Sequence, residues 1–221
     1  MITDFLSLLF PQNCINCNRS LISEEKFICT SCKIEIPYTN DYLNHENELF
    51  KKFIFAPEIK SARAFMYFHQ DGIAQKLLHN LKYKRKKEIG VMLGNWFAQE
   101  LHDTKVDCII PVPIHKQKQR VRGYNQSDFI AAGISEVLGL EIQSNAISRI
   151  VLGPSQTMKS KVKRWSDLEN VYSEVITNLE GTKVLIVDDV VTTGATVGML
   201  SDRLIEAGVK EIHIATLARG K

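Results

Sequence analysis

VLIVDDVVTTGAT, residues 184–196, is the stretch on which the fold turns. Val184 to Val187 form a short apolar run of the kind shown by a strand buried on both faces. Asp188 and Asp189 follow at once, then Thr192, Thr193, Gly194, Ala195 and Thr196. Beyond them Val197, Leu200, Leu204 and Ala207 recur at helical spacing. Strand, acidic pair, small polar loop and helix is an order that builds a site, because ligands of open α/β sheets lie beyond the carboxyl ends of the strands. A loop entering a helix offers free N–H groups and the positive end of the helix dipole, which suits a phosphate. The threonine hydroxyls add donors, and Gly194 lets the backbone approach closely. The two carboxylates just upstream make the opposite demand. One ligand satisfies both if it carries a phosphate at one end and vicinal hydroxyls at the other, as a ribose 5-phosphate does.

Other nucleotide loops are excluded, since neither G-x-x-x-x-G-K-[ST] nor G-x-G-x-x-G occurs. No third Asp follows at D-D-x-x-D spacing, which argues against a dedicated two-metal centre. The plain alternative is an ordinary strand-to-helix turn with capping Asp and filler Thr, but a turn needs one cap, not a whole matched stretch. The chain has 221 residues, enough for one fair-sized domain and a small appendage. Its hydrophobic share of 44% supports a globular core. A formal charge of +3 specifies no partner, so the distribution of charge matters more than its sum. Met1 to Phe10 are largely apolar but lack a preceding basic residue and run into Pro11, so they read as a short packing helix and not a signal peptide. No run approaches the roughly 20 apolar residues of a membrane span, and a cytoplasmic protein is expected.

Four of the five cysteines form two C-x-x-C pairs, Cys14 with Cys17 and Cys29 with Cys32. In a cytosolic chain this spacing favours metal over disulfides. Two knuckles supply four soft thiolates and complete a closed tetrahedral shell, which predicts structural Zn²⁺ in a compact zinc ribbon. The competing reading is a redox C-x-x-C, which two such closely spaced pairs disfavour. Ile34 to Pro57 read as an irregular connector, and His45 within it as solvated.

Ala62 to His69 read as a strand, and Ile73, Leu77, Leu78 and Leu81 as the stripe of a helix. The tail of that helix is basic around one tyrosine: Lys82, Tyr83, Lys84 and Arg85, then Lys86 and Lys87. Cations suit a helix C-terminus, and the same composition suits a nucleic-acid backbone with a stacked base. Ile89 to Leu101 read as an amphipathic helix, and Val106 to Val112 as a second buried strand with Cys108 as inert packing. Pro111 to Pro113 stop that strand, and a basic loop follows with His115, Lys116, Lys118, Arg120 and Arg122. A helix after Gln126 is expected to bury Phe129, Ile130, Ile134, Val137 and Leu138. In a parallel sheet the basic loop and the acidic loop emerge on one edge, so Lys116, Arg120, Arg122 and Gln126 are placed to meet a pyrophosphate or DNA. Arg149 to Trp165 read as a mobile loop whose Lys159, Lys161, Lys163 and Arg164 also suit DNA. Glu211 to Leu217 read as the last strand.

Residues 184–196 closely resemble the phosphoribosyl pyrophosphate (PRPP) loop of type I phosphoribosyltransferases. The resemblance implies that Asp188 and Asp189 hold the ribose 2- and 3-hydroxyls. It also implies that Thr192, Thr193, Gly194, Ala195 and Thr196 wrap the 5-phosphate and that Mg²⁺ accompanies PRPP. The chain as a whole looks like the ComF competence family. It carries PVP at 111–113, RGYNQ at 122–126 and the acidic loop behind the cysteine knuckles, with LKYKRKKEIG at 81–90 and SQTMKSKVKRWSDLENV at 155–171. That resemblance implies an α/β fold, a type I phosphoribosyltransferase-like parallel sheet flanked by helices over 58–221, with a small N-terminal zinc-ribbon-like module and connector over 1–57. It implies a role in natural transformation, with single-stranded DNA and other competence proteins as partners. The alternative is an active phosphoribosyltransferase passing the phosphoribosyl group to a nitrogen acceptor, although no residues stand out to read a nucleobase edge. A PRPP-sensing regulator ranks last, because no helix-turn-helix is found.

Overall fold

An apolar run followed directly by carboxylates fits the middle of a sheet, where hydrophobic residues face packing on both sides and the polar end reaches the sheet edge. The computed structural model describes residues 12–22, 24–151 and 171–220 and places the run in this way. Its strands are β1 (Ile59–Tyr67), β2 (Cys108–Pro111), β3 (Glu141–Ile142), β4 (Lys183–Val191) and β5 (Glu211–Arg219). They form one five-stranded sheet in the order β1-β5-β4-β2-β3, with β4 at its centre. Every pairing in it is parallel. Alternation along β4 splits the core in two. Leu185 and Val187 face one side with Ile109, Ala215 and Leu217, and Val184 and Ile186 face the other with Ile110, Ile212 and Ile214.

The helices are α1 (Thr30–Ile34), α2 (Ile73–Tyr83), α3 (Glu88–Ala98), α4 (Lys116–Arg122), α5 (Gln126–Leu138) and α6 (Ala195–Glu206). Leu77, Leu78 and Leu81 of α2, Leu93 and Phe97 of α3 and Ile130 and Ile134 of α5 cover the first face. Val197, Leu200 and Leu204 of α6 cover the second. Helices α3 and α5 meet through glycines. A Cβ on Gly133 would lie 2.1 Å from the Val91 carbonyl oxygen, and one on Gly94 would lie 2.3 Å from that of Ile130. No helix among the described residues is long and apolar enough to cross a membrane.

Several elements differ from the sequence reading. The basic segment 115–122 is a helix, α4, and not a loop. His115 caps it, its Nδ1 accepting from the Gln117 N–H at 3.2 Å, and Gly123 closes it with φ of 87°. Local capping chemistry outweighs the absence of an apolar stripe, since α4 buries no residue. Strand β4 runs through the acidic pair to Val191, so both carboxylates are held by the sheet. Val137 is 43% exposed, because the packed face of α5 is turned by the glycine contact toward Ile130 and Ile134. The connector is irregular, yet it buries Asp41, Asn47, Leu49 and Phe53. Asp41 accepts from Arg219 at 3.0 and 3.2 Å and from the Ala64 N–H at 3.1 Å, pinning the connector to the end of β5 and the middle of β1. The expected helix over Met1–Phe10 and the basic residues Lys159, Lys161, Lys163 and Arg164 lie outside the described residues.

The α3–α5 contact sets a sharp expectation. Gly133→Ala forces backbone apart at a site with no room, at a cost of about 2–3 kcal/mol. Thermal unfolding monitored by circular dichroism is expected to show Tm lowered by about 5–10 °C.

Candidate functional site

The site lies where β2 and β4 end side by side. Strand pairing sets Pro111 opposite Val187, so the chain leaving β2 and the carboxylates of β4 share one edge. Asp188 accepts from the Asp189 N–H at 2.8 Å and from Ser127 Oγ at 3.3 Å. Asn125 caps α5 through the Ser127 N–H and holds the Val112 carbonyl at 3.1 Å, which fixes Ser127 beside the acid. Burial first, and the neighbouring Asp189 carboxylate second, push Asp188 up to about 7. Asp189 pairs instead with Lys82, Nζ to Oδ2 at 2.9 Å.

The turn after β4 forms a small separate concavity lined by Thr192, Thr193, Gly194, Ala195 and Thr196. Gly194 has φ of 87°, a left-handed conformation that glycine adopts without strain. Gly194 has no side chain to cap α6, and the Ala195 N–H is met only by a long bond to Thr193 Oγ1 at 3.4 Å, so this helix start suits an anion. The connector reaches this loop, a contact the sequence did not signal. Lys52 Nζ donates to the Thr192 carbonyl, and a Cβ on Gly194 would stand 3.0 Å from the Phe53 ring.

A larger cavity of about 180 Å³ joins the acidic pair to a cationic wall of Lys82, Lys118, Arg122 and Arg149. Arg122 is oriented by Gln126, whose Oε1 accepts from Nη1 at 2.6 Å, and lies 5.6 Å from the Tyr83 ring centroid. Burial, with Arg149, Arg122 and Lys82 nearby, holds the Lys118 ammonium below the usual lysine range. These cations repel one another and favour an anion among them. Of the residues read from sequence, Arg122 and Gln126 line this cavity, whereas Lys116 lines an adjoining one of about 230 Å³. Arg120 is exposed on α4, and Tyr83, Lys84 and Arg85 are exposed at the end of α2. Lys82, read with that exposed patch, points into the site. Ser127, Lys118 and Arg149 complete the wall. Lys118 was read from sequence with the basic segment after β2, and Ser127 had a local signal in its place in the N-terminal turn of α5.

The sulfurs of Cys14, Cys17, Cys29 and Cys32 lie within 4.8 Å of one another. Cys17 and Cys29 Sγ are 3.7 Å apart, close to the edge of a thiolate tetrahedron with metal–sulfur bonds of about 2.3 Å. The donor set and spacing fit Zn²⁺. Burial raises the Cys14 thiol, but N–H groups of Cys17, Cys29 and Asn16 outweigh it and bring the thiol down to about 6. Asn16 Nδ2 donates to Cys32 Sγ at 3.3 Å, and its Oδ1 accepts from Lys76 of α2 at 2.9 Å. Cys14, Cys29 and Cys32 share one apolar cluster with Leu77, Leu78 and Leu81. Cys108 lies in β2, buried, and burial pushes its thiol up to about 11.

Residues 130–221 match the family model described as phosphoribosyl transferase domain. The chain is similar to "Competence protein F" of Haemophilus influenzae, 28% identical over 95% of this chain and 98% of the relative. It is also similar to "DNA utilization protein YhgH" of Escherichia coli O157:H7, 33% identical over 65% of this chain and 66% of that protein's length. Among solved structures, the purine phosphoribosyltransferase of Pyrococcus horikoshii Ot3 aligns with a TM-score of 0.41 and 24% identity, covering 59% of this chain and 73% of that one.

The raised Asp188 has a consequence for stability. Between its ordinary value of 3.8 and about 7 the folded chain retains a proton that the unfolded chain has released, so this carboxyl lowers stability as pH rises through that window. Asp188→Asn has no such proton to lose. Scanning fluorimetry is expected to place its Tm about 5–10 °C above the parent at pH 8, above it by roughly a third of that at pH 5, and close to it at pH 4.

Proposed function

Taking the chain as a homologue of competence protein F and of the DNA utilization protein YhgH that carries a phosphoribosyl transferase domain, we propose that it acts in DNA uptake. In this reading it handles incoming single-stranded DNA and holds a PRPP-type ligand at the ends of β2 and β4. One convergence carries the ligand half of the reading: an acidic pair, an uncapped helix start and four cations surround adjoining cavities. Asp188 and Asp189 take the ribose hydroxyls, and the turn Thr192 to Thr196 takes the 5-phosphate. Arg122, oriented by Gln126, takes the pyrophosphate with Lys118 and Arg149. Lys116 and Arg120 extend the cationic surface outward along α4. Mg²⁺ bound with PRPP neutralises pyrophosphate charge, and the two carboxylates are hard oxygen donors of the kind it accepts. Zn²⁺ fills the four-cysteine shell as a structural ion that leaves no open position.

The DNA half of the reading draws on the relatives' names and on the basic surface. Tyr83, stacked near Arg122, joins the stretch 82–87 to 116–122, so Lys84, Arg85, Lys116 and Arg120 lie along neighbouring exposed segments. Cations with an interleaved tyrosine suit phosphates and a stacked base. The chain works on the cytoplasmic side with other competence proteins. Transfer of phosphoribosyl to a nitrogen acceptor is the second reading, favoured by the family match over 130–221.

Isothermal titration of PRPP in Mg²⁺ tests the ligand half. Saturable binding is expected for the parent and loss of at least tenfold in affinity for Asp188→Ala with Asp189→Ala; no heat with the parent sinks the reading. Transformation frequency in the same variants is expected to fall with binding. Pyrophosphate release on adding candidate amines would favour the transferase reading over the binding one.

Oligonucleotide binding tests the DNA half. Each phosphate contact adds about 0.7 to the salt slope of single-strand binding. Lys84→Ala with Arg85→Ala is therefore expected to lower the slope by about 1.4 and to weaken binding alike across sequences. An unchanged slope removes these two residues from the track.

A further inference from the structure

We propose that Lys82 is the resident counter-ion of the acidic pair, a positioning residue that hydroxyls or a divalent cation must displace and that then turns to the ligand's anionic group. The inference deepens the ribose-phosphate reading and rests on it. Lys82 belongs to α2, outside both strand–loop–helix units that build the rest of the site. Its ammonium lies 2.9 Å from Asp189 Oδ2, with only 21% of the lysine side chain and 13% of the aspartate side chain exposed. Asp188 is held differently, by a backbone N–H and the Ser127 hydroxyl, so the resident cation sits on one acid of the two. The same ammonium lines the cavity shared with Lys118, Arg122 and Arg149.

Three physical points lead from this geometry to the role. Two adjacent carboxylates repel each other, and a cation at 2.9 Å relieves that repulsion in the free protein. Such a cation also competes with anything else that needs the carboxylates. Lysine carries a compact charge on a flexible four-carbon stem, so it can leave one partner and reach another without moving the backbone. The cavity that it lines is also lined by the other three cations, among which an anion belongs. Lys82 therefore opposes binding at the acidic end and supports binding at the anionic end.

Opposite signs distinguish this role from a merely structural one. Lys82→Met is tested with two probes, Mn²⁺ alone for the acidic pair and inorganic pyrophosphate for the cationic wall. Mn²⁺ binding, read by electron paramagnetic resonance, is expected to tighten at least about fivefold, and pyrophosphate binding, read by calorimetry, to weaken at least about fivefold. Lys82→Arg retains the charge and is expected to keep Mn²⁺ binding near the parent value. Mn²⁺ binding unchanged or weakened in Lys82→Met overturns the proposal, as does unchanged pyrophosphate binding. If Lys82→Met fails to fold, Lys82→Gln takes its place with the same expectations. A parent protein that takes up Mn²⁺ at the acidic pair but neither ribose 5-phosphate nor pyrophosphate overturns the ribose-phosphate reading and with it the anionic role of Lys82.

Discussion

Two neighbouring carboxylates at the end of a buried strand are the constraint to which this site answers. Strand β4 holds Asp188 and Asp189 in extended backbone and cannot separate them. Their repulsion, together with burial, has to be met by protons, hydrogen-bond donors or cations. Each device is present: a raised Asp188, a donating Ser127 and the Lys82 ammonium on Asp189. These groups come from β4, α5 and α2, segments far apart in the chain. The acidic pair thus organises its own surroundings.

Positioning those partners depends on close packing on one face of the sheet. Helices α3 and α5 approach until glycine is the residue that fits, and α5 then sets Ser127 beside Asp188 and Gln126 beside Arg122. Helix α2 packs on the same face and serves as a strut between two sites. Lys76 bonds Asn16, which bonds Cys32, and Lys82 six residues further along pairs with Asp189. At 1.5 Å per residue those lysines are about 9 Å apart along the axis. The cysteine knuckle shares its apolar cluster with α2 and so braces the helix that carries Lys82. The connector makes a second tie, with Asp41 on Arg219 at one point and Lys52 and Phe53 on the turn 192–194 at another.

Much of this was legible in order along the chain. The apolar run, acidic pair, threonines and glycine of 184–196 declared strand, turn and helix, since each demand is local: burial for the strand, small residues for the turn, free N–H groups at the helix start. Paired C-x-x-C spacing declared the four-sulfur cluster for the same reason, because each knuckle is a local bend. The segment 115–122 was misread, since its helix rests on a histidine cap and a glycine stop with no apolar face. Val137 was misassigned because helical periodicity marks a broad stripe, whereas the glycine contact selects which part of the stripe is buried.

The sequence by itself determined the central strand, the composition of the two segments after β2 and β4, and the two cysteine pairs, because those depend on residues within a few positions of one another. The tertiary structure alone decided which cations reach the acidic pair. Lys82 and Lys84 sit two positions apart in one basic tail, yet one is turned into the site and the other into solvent. A helix of 3.6 residues per turn separates such neighbours by about 200°, and where that turn falls relative to β4 is set by the packing of Leu77, Leu78 and Leu81. Charge and composition state that a basic residue is present; only the seating of α2 on the sheet states what it neutralises.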